Sequence, residues 1–313
     1  MTNNPRVTVL MSVYDSEKFL REAIESILTQ TFTDFEFLII NDGSKDSSLK
    51  IINSYKDPRI RLISRANRGL TFSLNQGLEI AKGEYIARQD SDDISVPERL
   101  KKEVDYLDTH PSVALVGSNY TVIDDNGDTL TTTTVFTEPN DLKLTQITCN
   151  QYGHGSIMLR KSILKKTGLY DKSVGYVEDY DLWTRISRVA DIANIEESLY
   201  LYRRNADGVT RQNLDLQIQQ TFAVRDKAFR HFLKHRGQYK VLHYHPGGER
   251  YRQRKAVLYR DLAYLYRSVD RPLGGICMMM LATLLEPLNR KNYLSIISIL
   301  YKPRFDRWEY EFL

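Results

Sequence analysis

The apolar positions of the first 118 residues change period in a regular way. Val7 to Val13 (VTVLMSV) is a short, nearly continuous apolar run, the pattern of a strand covered on both faces. Leu20, Ala23, Ile24, Ile27 and Leu28 then recur at helical spacing, with Asp15 or Ser16 placed to cap the helix. The alternation repeats. Phe35 to Ile40 reads as a strand ending in Asn-Asp-Gly-Ser, Leu49, Ile51 and Ile52 mark a helix, and Ile60 to Ser64 reads as a strand. Leu70 to Ala81 predicts an amphipathic helix, Glu84 to Arg88 the next strand, and a helix with Pro97 in its first turn runs to about Asp108.

Alternating strands and helices predict an α/β fold: a mostly parallel, Rossmann-like sheet flanked by helices, whose ligands bind beyond the carboxyl ends of the strands. Those ends carry Tyr14-Asp15, Asn41-Asp42-Gly43-Ser44 and Asp90-Ser91-Asp92-Asp93. Past Val113 to Gly117 the pattern changes. Tyr120 to Ile123 and Thr129 to Phe136 flank Asp-Asn-Gly at 125–127, a hairpin signal. Gly155 to Leu159 predicts a strand, Ser162 to Thr167 a short helix, Asp179 to Val189 a helix and Leu199 to Arg203 a last strand. Beyond Asn213 the pattern is helical, with segments near 214–235, 249–268, 272–285 and 292–300. The expected organisation is a domain over 1–210, in halves 1–118 and 119–210, followed by a helical extension over 211–313.

Charge sharpens this division. The chain of 313 residues has a net charge of +4, but residues 1–201 hold 23 Lys and Arg against 30 Asp and Glu, whereas 202–313 hold 21 against 10. A basic tail behind an acidic body suits peripheral contact with an anionic membrane, or an unspecialised solvated helical face. The two cysteines, Cys149 and Cys277, lack companions at metal-ligand spacing, which argues against a disulfide framework or a zinc site. The start shows no charged-then-apolar leader, and the longest apolar stretch, Ile276 to Leu285, is about half a bilayer span, so a cytoplasmic protein is expected.

Crowding Asp90, Asp92 and Asp93 into four residues costs free energy unless a cation or solvent relieves it. The plain alternative is a solvated turn in which Asp93 or Ser95 caps the next helix. Two carboxylates at a strand end suit a hard divalent cation that completes its shell with phosphate oxygens, so metal and nucleotide would bind in concert.

Five elements occur in order: VTVLMSVYD, FLIINDGSKDSS, NRGLTFSLNQGLEIAKGEYIARQDSDDISVPERL, YGHGSIMLRKS and YVEDYDLW. Through them the chain, from about Val7 to about Gln212, resembles the inverting family 2 glycosyltransferases with the GT-A fold. The resemblance implies that Ser12, Tyr14 and Asp42 hold the nucleoside and that Asp90 lies near the ribose or the water shell of the metal. Asp92 would ligate Mn2+ or Mg2+ on the diphosphate, and Asp179 would be the general base. His154 and Glu178, with Arg204 or Arg211 from the final loop, would contact acceptor or diphosphate. The implied partners are a nucleotide-diphospho-sugar, UDP-linked by family habit, and a glycan or lipid-linked acceptor in surface polysaccharide assembly.

The chain departs from the family pattern at Asp15, where Asn often follows Tyr, at Gly155, where Pro often follows His, and at Arg203-Arg204-Asn205. It lacks the Gln-x-x-Arg-Trp motif and the membrane spans of processive synthases, so single transfers are expected. Two other classes compete. One is a non-catalytic nucleotide-sugar binding module, against which the joint retention of Asp42, Asp90, Asp92 and Asp179 argues; the other, a sugar-1-phosphate nucleotidyltransferase, would want a Gly-rich, Arg-bearing loop where VYDSEKF stands. For the tail, with Tyr251, Tyr259, Tyr264 and Tyr266 among its arginines, a helical bundle, a homodimer contact or a membrane contact are the open readings. No nucleic-acid motif is evident.

Overall fold

The computed structural model describes residues 4–205, 213–235, 237, 249–268 and 272–285. Nine strands form one sheet, ordered β3-β2-β1-β4-β8-β6-β9-β5, with β7 paired to β6. The first half is parallel throughout: β1 (Val7–Val13) pairs with β2 (Phe35–Asn41) and β4 (Tyr85–Gln89), and β2 pairs with β3 (Ile60–Ser64). Between these strands run α1 (Leu20–Leu28), α2 (Ser48–Ser54) and α3 (Leu70–Ile80). The apolar runs are nearly continuous because both faces are covered: on one, Val7, Val9, Met11 and Val13 share a core with Ala23, Ile24 and Ile27 of α1 and with Leu100, Val104 and Leu107 of α4 (Arg99–Thr109), and on the other Leu10 is buried against Gly77 of α3. No side chain caps α1. It begins behind Phe19, and the Asp15 carboxylate is used elsewhere.

The second half is mixed. β6 (Val113–Ile123) is one long strand where the sequence suggests two short ones, and it pairs antiparallel with β7 (Thr129–Thr132) and β8 (Met158–Arg160) but parallel with β9 (Asp191–Arg203). β8 also runs antiparallel to β4 and so joins the two halves into one sheet. A two-residue strand β5 (Ile94–Ser95) and helix α5 (Pro139–Thr145) carry no sequence signal, because neither is long enough to show a period. Helices α6 (Leu164–Thr167) and α7 (Glu178–Ser187) complete this half, and α7 buries Leu182, Trp183 and Ile186.

Beyond it lie α8 (Leu214–Lys234), α9 (Glu249–Ser268) and α10 (Pro272–Leu285); the segment expected helical near 292–300 lies outside the described residues. By compactness the chain divides into 1–228 and 229–313, so the division falls inside α8, past the composition shift near 210. In the second unit Phe229, Phe232, Leu262, Tyr266, Met279 and Ala282 are buried, and the Phe229 and Tyr266 rings meet edge to face at 5.1 Å. Among the described residues no helix is long and apolar enough to cross a membrane.

Candidate active site

The carboxyl ends of the parallel strands open on one edge. Ser12 is half-buried near the end of β1 and Tyr14 just past it is 47% exposed. Asp15 adopts φ +46°, a left-handed conformation that Asp and Asn tolerate best, and its Oδ1 accepts the Lys45 amide at 2.6 Å. The departure from Asn is therefore conservative in backbone terms. Ser16 Oγ lies 2.8 Å from Ser91 Oγ, which ties the first loop to the Asp90–Asp93 turn.

Asp42 is buried, and both its oxygens are engaged: Oδ1 accepts the Arg68 amide at 2.9 Å and is ion-paired to Arg65, and Oδ2 accepts the Gly69 amide at 2.8 Å. The carboxylate thus holds the approach to α3, where unpaired amides favour a negative charge. Beside it the Phe72 ring is flanked by Arg68, Lys172 and Arg65 at 3.5, 4.7 and 4.8 Å.

Arg88 interrupts the apolar run of β4 and is buried below the site, with Nη2 donating to Asp90 Oδ1 at 2.6 Å. The Asp92 carboxyl is pushed up to about 6, by burial first and then by the charge of Asp90, with Asn205 and Arg203 opposing. Asp93 does not cap α4. It is buried, driven well above the carboxylate range by burial and by Asp92 and Asp90, and its Oδ1 accepts the Arg203 amide at 2.7 Å. Arg203, itself buried, donates to the Asp92 carbonyl at 3.0 Å and pairs with Glu22 at 2.7 Å, so β9 fixes the acidic turn.

Would these residues fit a divalent cation? The donors are hard oxygens, and the upward shift of Asp92, by burial and then by the charge of Asp90, is one that a bound cation would oppose. They fit. Among the described residues no group of three or more His, Cys, Asp or Glu gathers as a metal site, so Asp90 and Asp92 would need outside oxygens to complete a shell.

The opposite wall is the start of α7. Asp179 Oδ2 accepts from Asn150 Nδ2 at 2.8 Å and its Oδ1 accepts the Tyr180 amide at 2.6 Å. Glu178 is buried, and burial followed by the charge of Asp179 pushes its carboxyl to about 8. His154 Nδ1 lies 4.0 Å from Glu178 Oε1, and Nε2 lies 3.1 Å from the Tyr170 hydroxyl. Burial and Arg88 lower its pKa, whereas Asp179 and Asp90 act the other way. The 154–155 turn thus touches both acidic motifs, His154 beside Glu178 and Gly155 against the Asp90 carboxylate.

Gly155 explains its departure from the family pattern. A Cβ there would collide with the Tyr200 hydroxyl and stand 2.7 Å from Asp90 Oδ2, so no larger residue fits without moving a site carboxylate. Arg204 is exposed at the end of β9, its amide donating to Ile123 O at 2.8 Å, and Arg211 lies outside the described residues. Arg88, Asn150, Tyr170, Tyr200 and Arg203 escape the motif reading. Only Arg88 carries a signal, a charge inside a buried strand; the rest act through contacts between segments 29 or more residues apart, or as ordinary aromatics.

Residues 8–168 match the family described as Glycosyl transferase family 2. The chain belongs to this family. EpsE of Bacillus subtilis is 34% identical over 232 residues, which is 72% of this chain and 82% of EpsE. AmsE of Erwinia amylovora, named as the amylovoran biosynthesis glycosyltransferase, is 31% identical over 66% of this chain and 79% of its own. Among solved structures, S. aureus TarS in complex with UDP-GlcNAc matches with a TM-score of 0.59 at 18% identity, over 94% of this chain and 89% of that one. The mannosyltransferase PcManGT of Pyrobaculum calidifontis, in complex with GDP-Man and Mn2+, matches with a TM-score of 0.57 at 17% identity, over 96% and 85%. At such identities these structures speak for the GT-A fold alone. The glycosyltransferase is therefore built on the GT-A sheet.

Proposed function

We propose that this glycosyltransferase moves one sugar from a UDP-sugar to a hydroxyl of a glycan or lipid-linked acceptor, with inversion, in surface polysaccharide assembly at the cytoplasmic side of the membrane. The observation that carries the reading is that one turn lies against both acidic motifs, with Gly155 packed on the Asp90 carboxylate and His154 Nδ1 4.0 Å from Glu178 Oε1. Inversion at an anomeric carbon needs a leaving-group side and a nucleophile side, and the acidic turn and the start of α7 are suited to be the two. The reading draws further support from the UDP-GlcNAc complex of TarS and from the role that the name of AmsE records.

In this mechanism Ser12, Tyr14 and the Asp42 loop receive the nucleoside. Asp92, with Asp90, would hold Mn2+ or Mg2+, which when bound neutralises charge developing on the departing diphosphate. Asp179 takes the proton of the acceptor hydroxyl, its Oδ2 aimed by Asn150. Glu178, kept protonated near neutrality by burial and by Asp179, adds no second negative charge beside the base. Arg88 holds Asp90 from below, and the family resemblance gives the approach to the diphosphate to Arg204 or Arg211.

Calorimetric titration of UDP, GDP and dTDP into wild type and Asp92→Asn, with and without Mn2+, tests the donor class. The expected result is Mn2+-enhanced binding of UDP that Asp92→Asn loses. Enhancement for GDP or dTDP instead would reassign the donor, and no binding at all would favour a non-catalytic module.

A further inference from the structure

The turn that leads into Glu178-Asp179 is held by residues far outside the family motifs. Gly175 has φ +68° and ψ −121°, a conformation essentially reserved to glycine, and a Cβ there would run into the Gln220 side-chain amide of α8. Gln220 Oε1 accepts the Tyr176 amide at 2.8 Å, and Gln217 Nε2 donates to the Tyr176 carbonyl at 3.3 Å. One turn further along α8, Val224 packs with Val177, Tyr180 and Val174. Beyond it Lys227 reaches Asp181 Oδ1 at 3.4 Å. These residues lie at helical spacing on one face of α8, all of them before the division at 228.

The other end of the same segment is tied to α3, in the first half of the sheet. Asn75 of α3 donates to the Tyr170 carbonyl at 2.9 Å and accepts the Tyr170 amide at 3.0 Å, and Lys172 sits over Phe72. The chain from Tyr170 to Val177 is thus strung between α3 and α8, and Asp179 follows immediately. With both ends tied, moving one changes where the carboxylate points.

We infer that Gln220 is a positioning residue for Asp179: its side-chain oxygen fixes the Gly175-Tyr176 turn and so sets the entry of α7. The inference rests on the reading of Asp179 as the general base. It gives the first turns of α8 a part in sugar transfer, and a substitution there would change turnover rather than donor binding.

The test compares wild type, Gln220→Leu, Gln220→Met and Gln220→Glu in the full chain, the last of which keeps an oxygen able to accept the Tyr176 amide. Amide hydrogen exchange is read over 174–180. Release of UDP from UDP-N-acetylglucosamine with Mn2+ is the turnover probe. In Gln220→Leu and Gln220→Met, exchange at Tyr176 is expected to accelerate at least tenfold and kcat to fall about tenfold with an unchanged donor KM. Gln220→Glu should stay within about threefold of wild type in both. Unchanged exchange in Leu and Met variants that fold would overturn the inference, as would faster exchange with full kcat, or a donor KM that rises as kcat falls. Asp179→Asn separates the two claims: turnover retained in that variant sinks the base assignment, whereas an inactive Asp179→Asn beside a fully active Gln220→Leu sinks only the role of Gln220. If wild type does not use this donor, the exchange data alone decide between a held and an unheld turn.

Discussion

Asp179 and Asn150 show how little sequence distance says about a site. Twenty-nine residues apart, they share a 2.8 Å hydrogen bond that fixes the direction of the proposed base. A hydrogen bond to a charged group contributes about 1.5–3 kcal/mol, so Asn150→Ala is expected to lower kcat roughly ten- to a hundredfold, while Asp179→Asn removes at least about a hundredfold. Steady-state kinetics on the donor identified by calorimetry checks both, and equal activity of Asn150→Ala and wild type would show the contact to be idle. Glu178 makes a pH prediction. Its folded-state pKa is raised from an ordinary 4.5 to about 8, so the unfolded chain gives up this proton at lower pH than the folded one does. Stability contributed by this group therefore falls as pH rises through that window. In thermal unfolding from pH 5 to pH 9, Glu178→Gln should lose less stability than wild type between pH 5 and about pH 8, the two curves running parallel above that. Curves parallel over the whole range would mean that the Glu178 carboxyl titrates normally.

At the scale of elements, the joint between the two halves of the sheet does the positioning. β4 ends in the acidic turn, β8 runs antiparallel beside it, and the loop before β8 brings Gly155 against Asp90 and Tyr200. An added methyl has nowhere to go, and overpacking costs about 1–3 kcal/mol. Gly155→Ala is expected to lower stability by that amount in urea and also to weaken Mn2+-dependent UDP binding, because the displaced groups include Asp90. Lower stability with unchanged binding would place the strain on Tyr200 alone. On the far side of the core, Ile24 of α1 is fully buried against β1 and β2, so Ile24→Ala should cost about 2–5 kcal/mol without touching the site.

For the whole molecule, ligand binding and stability are one equilibrium. A ligand that binds only the folded chain stabilises it by about 2.7 kcal/mol at a hundred times its Kd. UDP with Mn2+ is therefore expected to raise the Tm by several degrees, UDP alone by less, and neither to act on Asp92→Asn. A shift that survives in Asp92→Asn would place the nucleotide away from the acidic turn. In the second unit, the side chains that the sequence offered to a membrane or a partner are in part spent inside: Tyr259, Tyr266 and Met279 are buried, while Met280 is 56% exposed.

The sequence by itself determined the parallel half of the sheet, because β1 and β2 are nearly continuous apolar runs and α1, α3 and α4 are long enough to show their period. It also determined which loops are acidic, since strand ends are local features. The tertiary structure decided which of those carboxylates share a charge environment, that Asp93 belongs to β9 rather than to a helix cap, and that Asp42 is already bound to Arg65, Arg68 and Gly69. It alone brought Arg203 to the Asp92 carbonyl, Asn150 to Asp179 and Gln220 to Tyr176. Their contacts join segments separated by 29 to 181 residues, and such pairings are set by how the layers pack, which no local period encodes.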